Sequence, residues 1–308
     1  MNNYLSKSTA TRDDQAVDVP VAISQRSKRY VRPDSMQKHR LSVLTVGSYA
    51  IILLATVLYL FPLAYLVNIS FKTLSDYFQN PTGVTKTVAW VNYVNAWNEG
   101  NFGAYFFNTV FYTIVATGVS VLFSLFIAFP IARGYVKASR FWYTLFVISL
   151  FLPSALIPQF QLILHLGLYD TQIGYILVAS NLGLGPFLIA GYLKSIPKEL
   201  DEAATIDGCG YVRYVLTIII PLSRPILVTA LLLHAIDVWN DIIGPTIYLS
   251  NPSYSPISLG LFSFFGLYTN DWVTLAAATV IVAAPLIVLF IFLQRYFISG
   301  ALSGALKA

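Results

Sequence analysis

The chain has 308 residues, 56% of them hydrophobic and 11% charged, with a mean hydropathy of +0.67 and a formal net charge of +5. A water-soluble core of this length does not use so few charges, so the composition excludes an ordinary soluble domain and points to lipid as the main solvent. The single cysteine, Cys209, excludes an internal disulfide, and the basic residues are spread among apolar runs rather than gathered into the patch of a nucleic-acid-binding domain.

Residues 1–40 carry Lys7, Arg12, Arg26, Lys28, Arg29, Arg32, Lys38 and Arg40 with no apolar run among them. They read as a polar, disordered tail and not as a cleavable leader. Six apolar runs follow, at 43–67, 106–132, 141–164, 173–193, 225–249 and 272–298. Each is near the length of about twenty helical residues that crosses a hydrocarbon core of roughly 30 Å, and only helices or closed barrels satisfy their own backbone in lipid. The prediction is an all-α, polytopic membrane protein with a six-helix domain over 41–298 and a short tail over 299–308.

Between the first two runs, the segment 68–105 is rich in aromatics, among them Tyr77, Phe78, Trp90, Tyr93 and Trp97. Such rings serve as headgroup-level anchors or as a docking surface for an extracytoplasmic partner. The second run carries Thr113, Thr117, Ser120 and Ser124 as a stripe at helical spacing, which favours close helix packing over pore lining. His165, near the end of the third run, reads as a headgroup-level histidine.

The fourth and fifth runs are the weakest. Asn181, Gly183, Gly185 and Pro186 interrupt the fourth, while the fifth carries His234, Asp237, Asn240 and Asp241. Ionisable groups in a span are costly, so these helices are expected to face protein or a cavity. His234, Asp237 and Asp241 fall at i, i+3 and i+7 on one helical face, with Asn240 next to it and Trp239 on a face left open. They are candidates for the lining of a translocation path, Trp239 either stacking on a solute ring or anchoring the helix. The alternative is that the acids pair with neighbouring spans or lie near the wet surface.

Lysine and arginine are retained on the cytoplasmic side of a membrane. Seventeen of the nineteen fall in the N-terminal tail, the alternate loops that share its side and the C-terminal end, leaving Lys72 and Lys86 on the other. Both termini are therefore predicted to be cytoplasmic.

The loop at about 194–224 then also faces the cytoplasm. Ser195 or Ile196 is expected to cap a helix opened by Pro197, with Glu199, Asp201 and Glu202 near its positive end, and Asp207-Gly208 to end it with a turn. Leu200, Ala203 and Ile206 share a face, and Ala204 lies beside them. An acidic helix with an apolar face suits a protein partner better than an anionic membrane surface.

From Glu202-Ala203-Ala204 through Gly208 to Ile218 and Ile220-Pro221, the spacing resembles the EAA loop of bacterial ABC importer permeases. Ser70-Phe-Lys-Thr, Leu193-Lys-Ser-Ile-Pro-Lys-Glu-Leu, Val238-Trp-Asn-Asp and Gln294-Arg-Tyr-Phe extend the resemblance over about 40–308, toward the carbohydrate branch and the smaller maltose-type permease subunit. The resemblance implies that the loop, between the fourth and fifth spans, docks into a cleft of an ATP-binding subunit. Glu202 would make a polar contact there, Ala203 and Ala204 would permit close approach, and Asp207-Gly208 would form the bend. It also implies a second homologous permease, two ATP-binding subunits, an extracytoplasmic sugar-binding protein and a bacterial inner-membrane location.

No phosphate-cradling Gly-x-x-x-x-Gly-Lys-Ser/Thr sequence occurs, nor a Cys/His cluster with metal-ligand spacing. No cofactor or enzyme site is expected in this chain, ATP and magnesium belonging to the partner subunits. Two alternatives stay open: an importer of another solute such as a polyol or glycerol phosphate, and an ion-coupled secondary transporter, which would leave the acidic loop unexplained.

Overall fold

A computed structural model describes residues 43–265 and 271–305. The tail expected over 1–40 lies outside the described residues. Cα packing divides the chain into two units, 1–55 and 56–308. Of the first, only the opening turns of α1 (Val43–Ser70) are described.

Among the described residues, three helices are long and apolar enough to cross a membrane: α1 along Val46–Ser70, α4 (Phe102–Arg133), and α15 (Trp272–Ala305) along Trp272–Gln294. Two short helices, α2 (Leu74–Gln79) and α3 (Val91–Glu99), lie between α1 and α4. α4 stops where Gly134 takes φ +76, a left-handed conformation that glycine adopts without a Cβ penalty. α15 continues through Ser299 to Ala305, so the described part of the C-terminal tail is helical.

The other three predicted spans are not continuous helices, and the reason in each case is local. The run at 141–164 is divided into α5 (Ser139–Ser149) and α6 (Leu156–His165). Pro153 biases Leu152 away from the helical region, while Pro158 is tolerated in the first turn of α6. The run at 173–193 becomes α7 (Gln172–Ala179) and α8 (Gly185–Leu193). Thr171 caps α7 by accepting from Gly174 N at 3.0 Å, Gly183 turns left-handed at φ +46, and Pro186 opens α8.

After α9 (Glu199–Ile206) and α10 (Tyr211–Tyr214), a π-helical turn at Val215–Ile219 leads into α11 (Ile220–Leu222). Pro221 lacks an N–H and its ring crowds the carbonyl one turn earlier, and the widened turn accommodates it. The chain then bends by 84° into α12 (Arg224–Trp239), and α13 (Ile243–Tyr248) follows a second break. The run at 225–249 is thus also two helices. α14 (Ile257–Gly260) completes the described set before α15.

Among the described residues three apolar clusters hold the second unit together, one of them Tyr112, Ala116, Tyr175, Ala179 and Val238 between α4, α7 and α12. Leu125, Phe129, Ile189, Leu193, Val215, Ile219 and Leu227 join α4, α8, the π turn and α12. Phe102, Trp239, Ile257, Ala277 and Ala278 join α4, α12, α14 and α15. Hydroxyl groups of the predicted stripe lie between α4 and the α7–α8 break. Ser120 Oγ donates to the Asn181 carbonyl at 2.6 Å, and a Cβ on Gly185 would come within 2.3 Å of Ser124 Oγ. Small residues let these two helices approach closely. His165 is exposed at the end of α6.

Candidate functional site

Two features answer to the predicted site residues: the acidic loop and a polar cavity.

The loop helix α9 begins at Glu199 with Lys198 before it, two to three residues later than expected and without a side-chain cap. Ser195 Oγ instead donates to the Tyr192 carbonyl, at 2.7 Å, closing the end of α8. At the other end, Cys209 N donates to the Ala204 carbonyl at 2.9 Å across Gly208, which sits at φ +68. That is the glycine-dependent helix stop expected at Asp207-Gly208. A Cβ on Gly208 would meet nothing within 4 Å in this chain, so the conformation and not the space demands glycine here.

The two alanines of the loop motif part company. Ala204 is buried against the α4–α8–α12 cluster, while Ala203 is exposed, as are Glu202 and Asp207. The predicted apolar face is open: Leu200 is 38% and Ile206 86% exposed.

By sequence Asp201 is only an acid at the helix start. In the structure it is buried and anchors α9. Its Oδ2 pairs with Arg133 Nε at 2.9 Å and accepts from the Tyr135 hydroxyl at 2.8 Å, and Oδ1 accepts from the Tyr214 hydroxyl. Arg133 also donates through Nη1 to the Ile196 carbonyl at 2.7 Å. Burial and the adjoining carboxylate raise the Tyr135 hydroxyl above its ordinary pKa, so it stays a donor. An acid three residues after Lys198 and an arginine at the end of an apolar run were visible separately, but no sequence spacing links positions 133 and 201.

The second feature is a cavity of about 690 Å³. The breaks of α5–α6, α7–α8 and α12–α13 all open onto it. Ser149, Gln159, Asn181, His234, Asp237 and Asp241 are among its polar residues, and none of its lining residues is lysine or arginine. Irregular backbone at membrane depth is tolerated where it is buried in protein or lines a cavity, which accounts for three breaks meeting at one place.

The predicted polar face divides by role. Asp237 is exposed to the cavity, and no side-chain hydrogen bond of its own occurs among the described residues. His234 is 7% exposed and its Nε2 lies 3.0 Å from the Ala179 carbonyl, where only a protonated nitrogen forms the bond. It thus pins α12 to the end of α7. Asp241 accepts from the Tyr175 hydroxyl at 3.1 Å and from Gly244 N at 2.9 Å, capping the start of α13. Trp239 and Asn240 lie off the cavity. Trp239 is 5% exposed and donates from Nε1 to the Val282 carbonyl at 3.1 Å, with Phe106 edge-on at 6.0 Å. It therefore anchors α12 to α15 and does not present its ring to a solute. Asn240 is exposed and donates to the Ile236 carbonyl of its own helix at 2.9 Å.

The aromatic segment before α4 is partly folded in. Phe71, Trp90 and Tyr93 form a cluster with centroids 5.0–5.8 Å apart, and Asn92 donates to the carbonyls of Ser70 and Lys72. Lys72 is fully buried, its ammonium donating to the carbonyls of Asn80 and Pro81. Trp90, Trp97 and Phe78 remain exposed.

Long apolar helices, broken helices around a polar cavity and an exposed acidic helix define a membrane permease. Among solved structures the fold matches a bacterial ABC transporter involved in the import of the acidic polysaccharide alginate, with a TM-score of 0.76 and 20% identity over 85% of this chain and 99% of that one. Residues 98–301 match the family described as binding-protein-dependent transport system inner membrane component, and the chain belongs to that family. It is 35% identical to the probable ABC transporter permease protein YurM of Bacillus subtilis, covering 80% of this chain and 83% of that one. It is 32% identical to the arabinooligosaccharides transport system permease protein AraQ of Halalkalibacterium halodurans, covering 86% and 96%. With the melibiose/raffinose/stachyose import permease protein MelC of Bacillus subtilis it shares 30% identity over 80% and 91%. The chain is thus a multi-pass protein of the cell membrane, and a transport component rather than an enzyme.

Proposed function

We propose that this chain is the permease subunit of an ATP-binding-cassette importer that carries a sugar or oligosaccharide across the cell membrane by alternating access. The six crossings are α1, α4, the pairs α5–α6, α7–α8 and α12–α13, and α15, with both termini cytoplasmic. The lopsided lysine and arginine count supports this orientation, with only Lys72 and Lys86 of the nineteen in the predicted outer segments.

The observation that carries the reading is the cavity at the three helix breaks. Its lining offers hydroxyl, amide and carboxylate groups and no lysine or arginine, a donor and acceptor set for a neutral, hydroxyl-rich solute and a poor one for a phosphate. The names of AraQ and MelC, which specify arabinooligosaccharides and melibiose, raffinose and stachyose, support the same class. Asp237 is the carboxylate we assign to the path.

The exposed face of α9, with Glu202, Ala203, Asp207 and Gly208 around it, supports docking onto an ATP-binding subunit. Two such subunits, which hold ATP and magnesium, a second homologous permease and an extracytoplasmic binding protein would complete the transporter. ATP-driven closure of the pair would move the α9 loops and reorient the spans. The reading is tested by reconstituting the assembled complex in proteoliposomes with labelled arabinooligosaccharides, raffinose and glycerol phosphate. ATP-dependent accumulation of a sugar is expected. Uptake driven by an ion gradient without ATP, or of glycerol phosphate alone, would overturn it.

A further inference from the structure

A second cavity, of about 220 Å³, lies where the end of α4, the start of α5 and the two ends of the α8–α9 connection meet. Its wall holds four cationic residues, Arg133, Arg140, Lys194 and Lys198, and no carboxylate. Only Arg133 is neutralised, by Asp201. Lys194 has its ammonium 4.0 Å from the centre of the Tyr143 ring, and the side chains of Arg140 and Lys198 have no hydrogen bond or ion pair among the described residues. Nη2 of Arg133 is buried without a hydrogen-bond partner. Cations gathered in one cavity repel one another, and a buried guanidinium nitrogen without an acceptor is costly. The gathered cations call for an anion with several oxygen acceptors.

The surroundings say which kind. The cavity sits at the ends of apolar helices, and α5 leads away from it with Phe141, Trp142, Leu145 and Ile148 all exposed. Aromatic rings next to a cation mark the headgroup level, and the aliphatic side chains beyond them suit acyl chains. A free phosphate would make no use of that face.

We propose that this cavity binds the phosphate of an anionic phospholipid whose acyl chains lie along α5. Arg140, Lys194 and Lys198 contact the phosphate oxygens, and Tyr143 holds the Lys194 ammonium in place. Basic pockets between membrane helices recognise lipid headgroups through this combination of charge and shape. The inference concerns the membrane around the transporter and is independent of which solute is carried.

The test uses the full chain as it purifies with its partner subunits, in a neutral detergent. Phosphatidylglycerol, phosphatidylcholine or inorganic phosphate is added in steps, and bound molecules are counted by native mass spectrometry. Saturable phosphatidylglycerol binding is expected, not displaced by inorganic phosphate. Arg140→Gln with Lys194→Gln should weaken it about thirtyfold, at roughly fivefold for each cation near the surface, while Lys86→Gln leaves it unchanged. Equal binding of phosphatidylcholine by the unmodified protein would overturn the proposal without any variant having to fold. Unchanged lipid binding in the double variant would also overturn it, as would loss of a partner subunit in place of lipid, which would make the cluster a protein contact. Inorganic phosphate binding as tightly as the lipid would reassign the site to a soluble anion and overturn the lipid assignment.

Discussion

Arg133 and Asp201, 68 positions apart, form an ion pair of 2.9 Å with side-chain exposures of 1% and 9%, joining the last residue of α4 to the third residue of α9. Two tyrosine hydroxyls complete the carboxylate's coordination. The acidic helix is therefore tied to a membrane-crossing helix by a buried polar contact, and its exposed face is free for a partner.

Removing one member of this pair should be far worse than removing both. Asp201→Ala leaves a buried guanidinium without its counter-ion, a change that costs about 3–5 kcal/mol in comparable pairs, whereas apolar replacement of both partners is often near neutral. We expect Asp201→Ala to lower the thermal unfolding temperature and to expose the 194–224 loop to protease. Arg133→Leu combined with Asp201→Leu should recover much of the loss. If the double variant is as unstable as the sum of the singles, the two residues are not coupled.

At Gly208 the demand is conformational, since a Cβ would meet nothing in this chain. Left-handed backbone costs an ordinary L-residue roughly 1–2 kcal/mol, and asparagine tolerates it better than alanine or valine. Uptake should therefore fall in the order Gly, Asn, Ala, Val. An Asn variant as inactive as Val would mean that a partner surface lies against this position.

Ile206, 86% exposed, should be an anchor of the docked loop. Burying such a side chain is worth about 1.5–3 kcal/mol, and an aspartate there would have to be desolvated instead. Ile206→Asp is expected to reduce co-purification of the ATP-binding subunit while the permease stays folded and in the membrane. Unchanged recovery of that subunit would remove α9 from the interface.

The polar face of α12 should separate into three behaviours. Asp237→Asn is expected to lower uptake with assembly intact, because its carboxylate faces the cavity. Asn240→Ala should have little effect, its one side-chain bond being to its own helix. Trp239→Ala should act through stability, by roughly 3–5 kcal/mol for a buried aromatic, and be read as lost expression or a lower melting temperature. Normal transport by Asp237→Asn would move the path elsewhere.

Topology is checked by impermeant thiol labelling in intact cells. A cysteine at position 86, in a Cys209→Ser background, should react from outside. Cys209 itself, and a cysteine at position 137, should not. The reverse pattern would invert the chain in the membrane.

Much of this protein was legible in one dimension because lipid imposes a strong constraint: α1, α4 and α15 appear as long apolar runs, and the glycine stop after α9 appears as Asp207-Gly208. The acidic helix α9 was equally plain, since its first-turn acids and its glycine stop are local to one helix and its turn. The three-dimensional structure decided what depends on distant residues. A run of apolar residues does not reveal whether it is one helix or two half-helices, because a break is tolerated only where the fold buries it in protein or places it on a cavity. Likewise His234, Asp237 and Asp241 share a face on paper, but Ala179 and Tyr175, contributed by α7, bond His234 and Asp241, while Asp237 faces the cavity without a side-chain hydrogen bond among the described residues. The contact between Arg133 and Asp201 belongs to the same class: each residue has an unremarkable local sequence, and only the packing of α4 against the loop brings the charges within 2.9 Å.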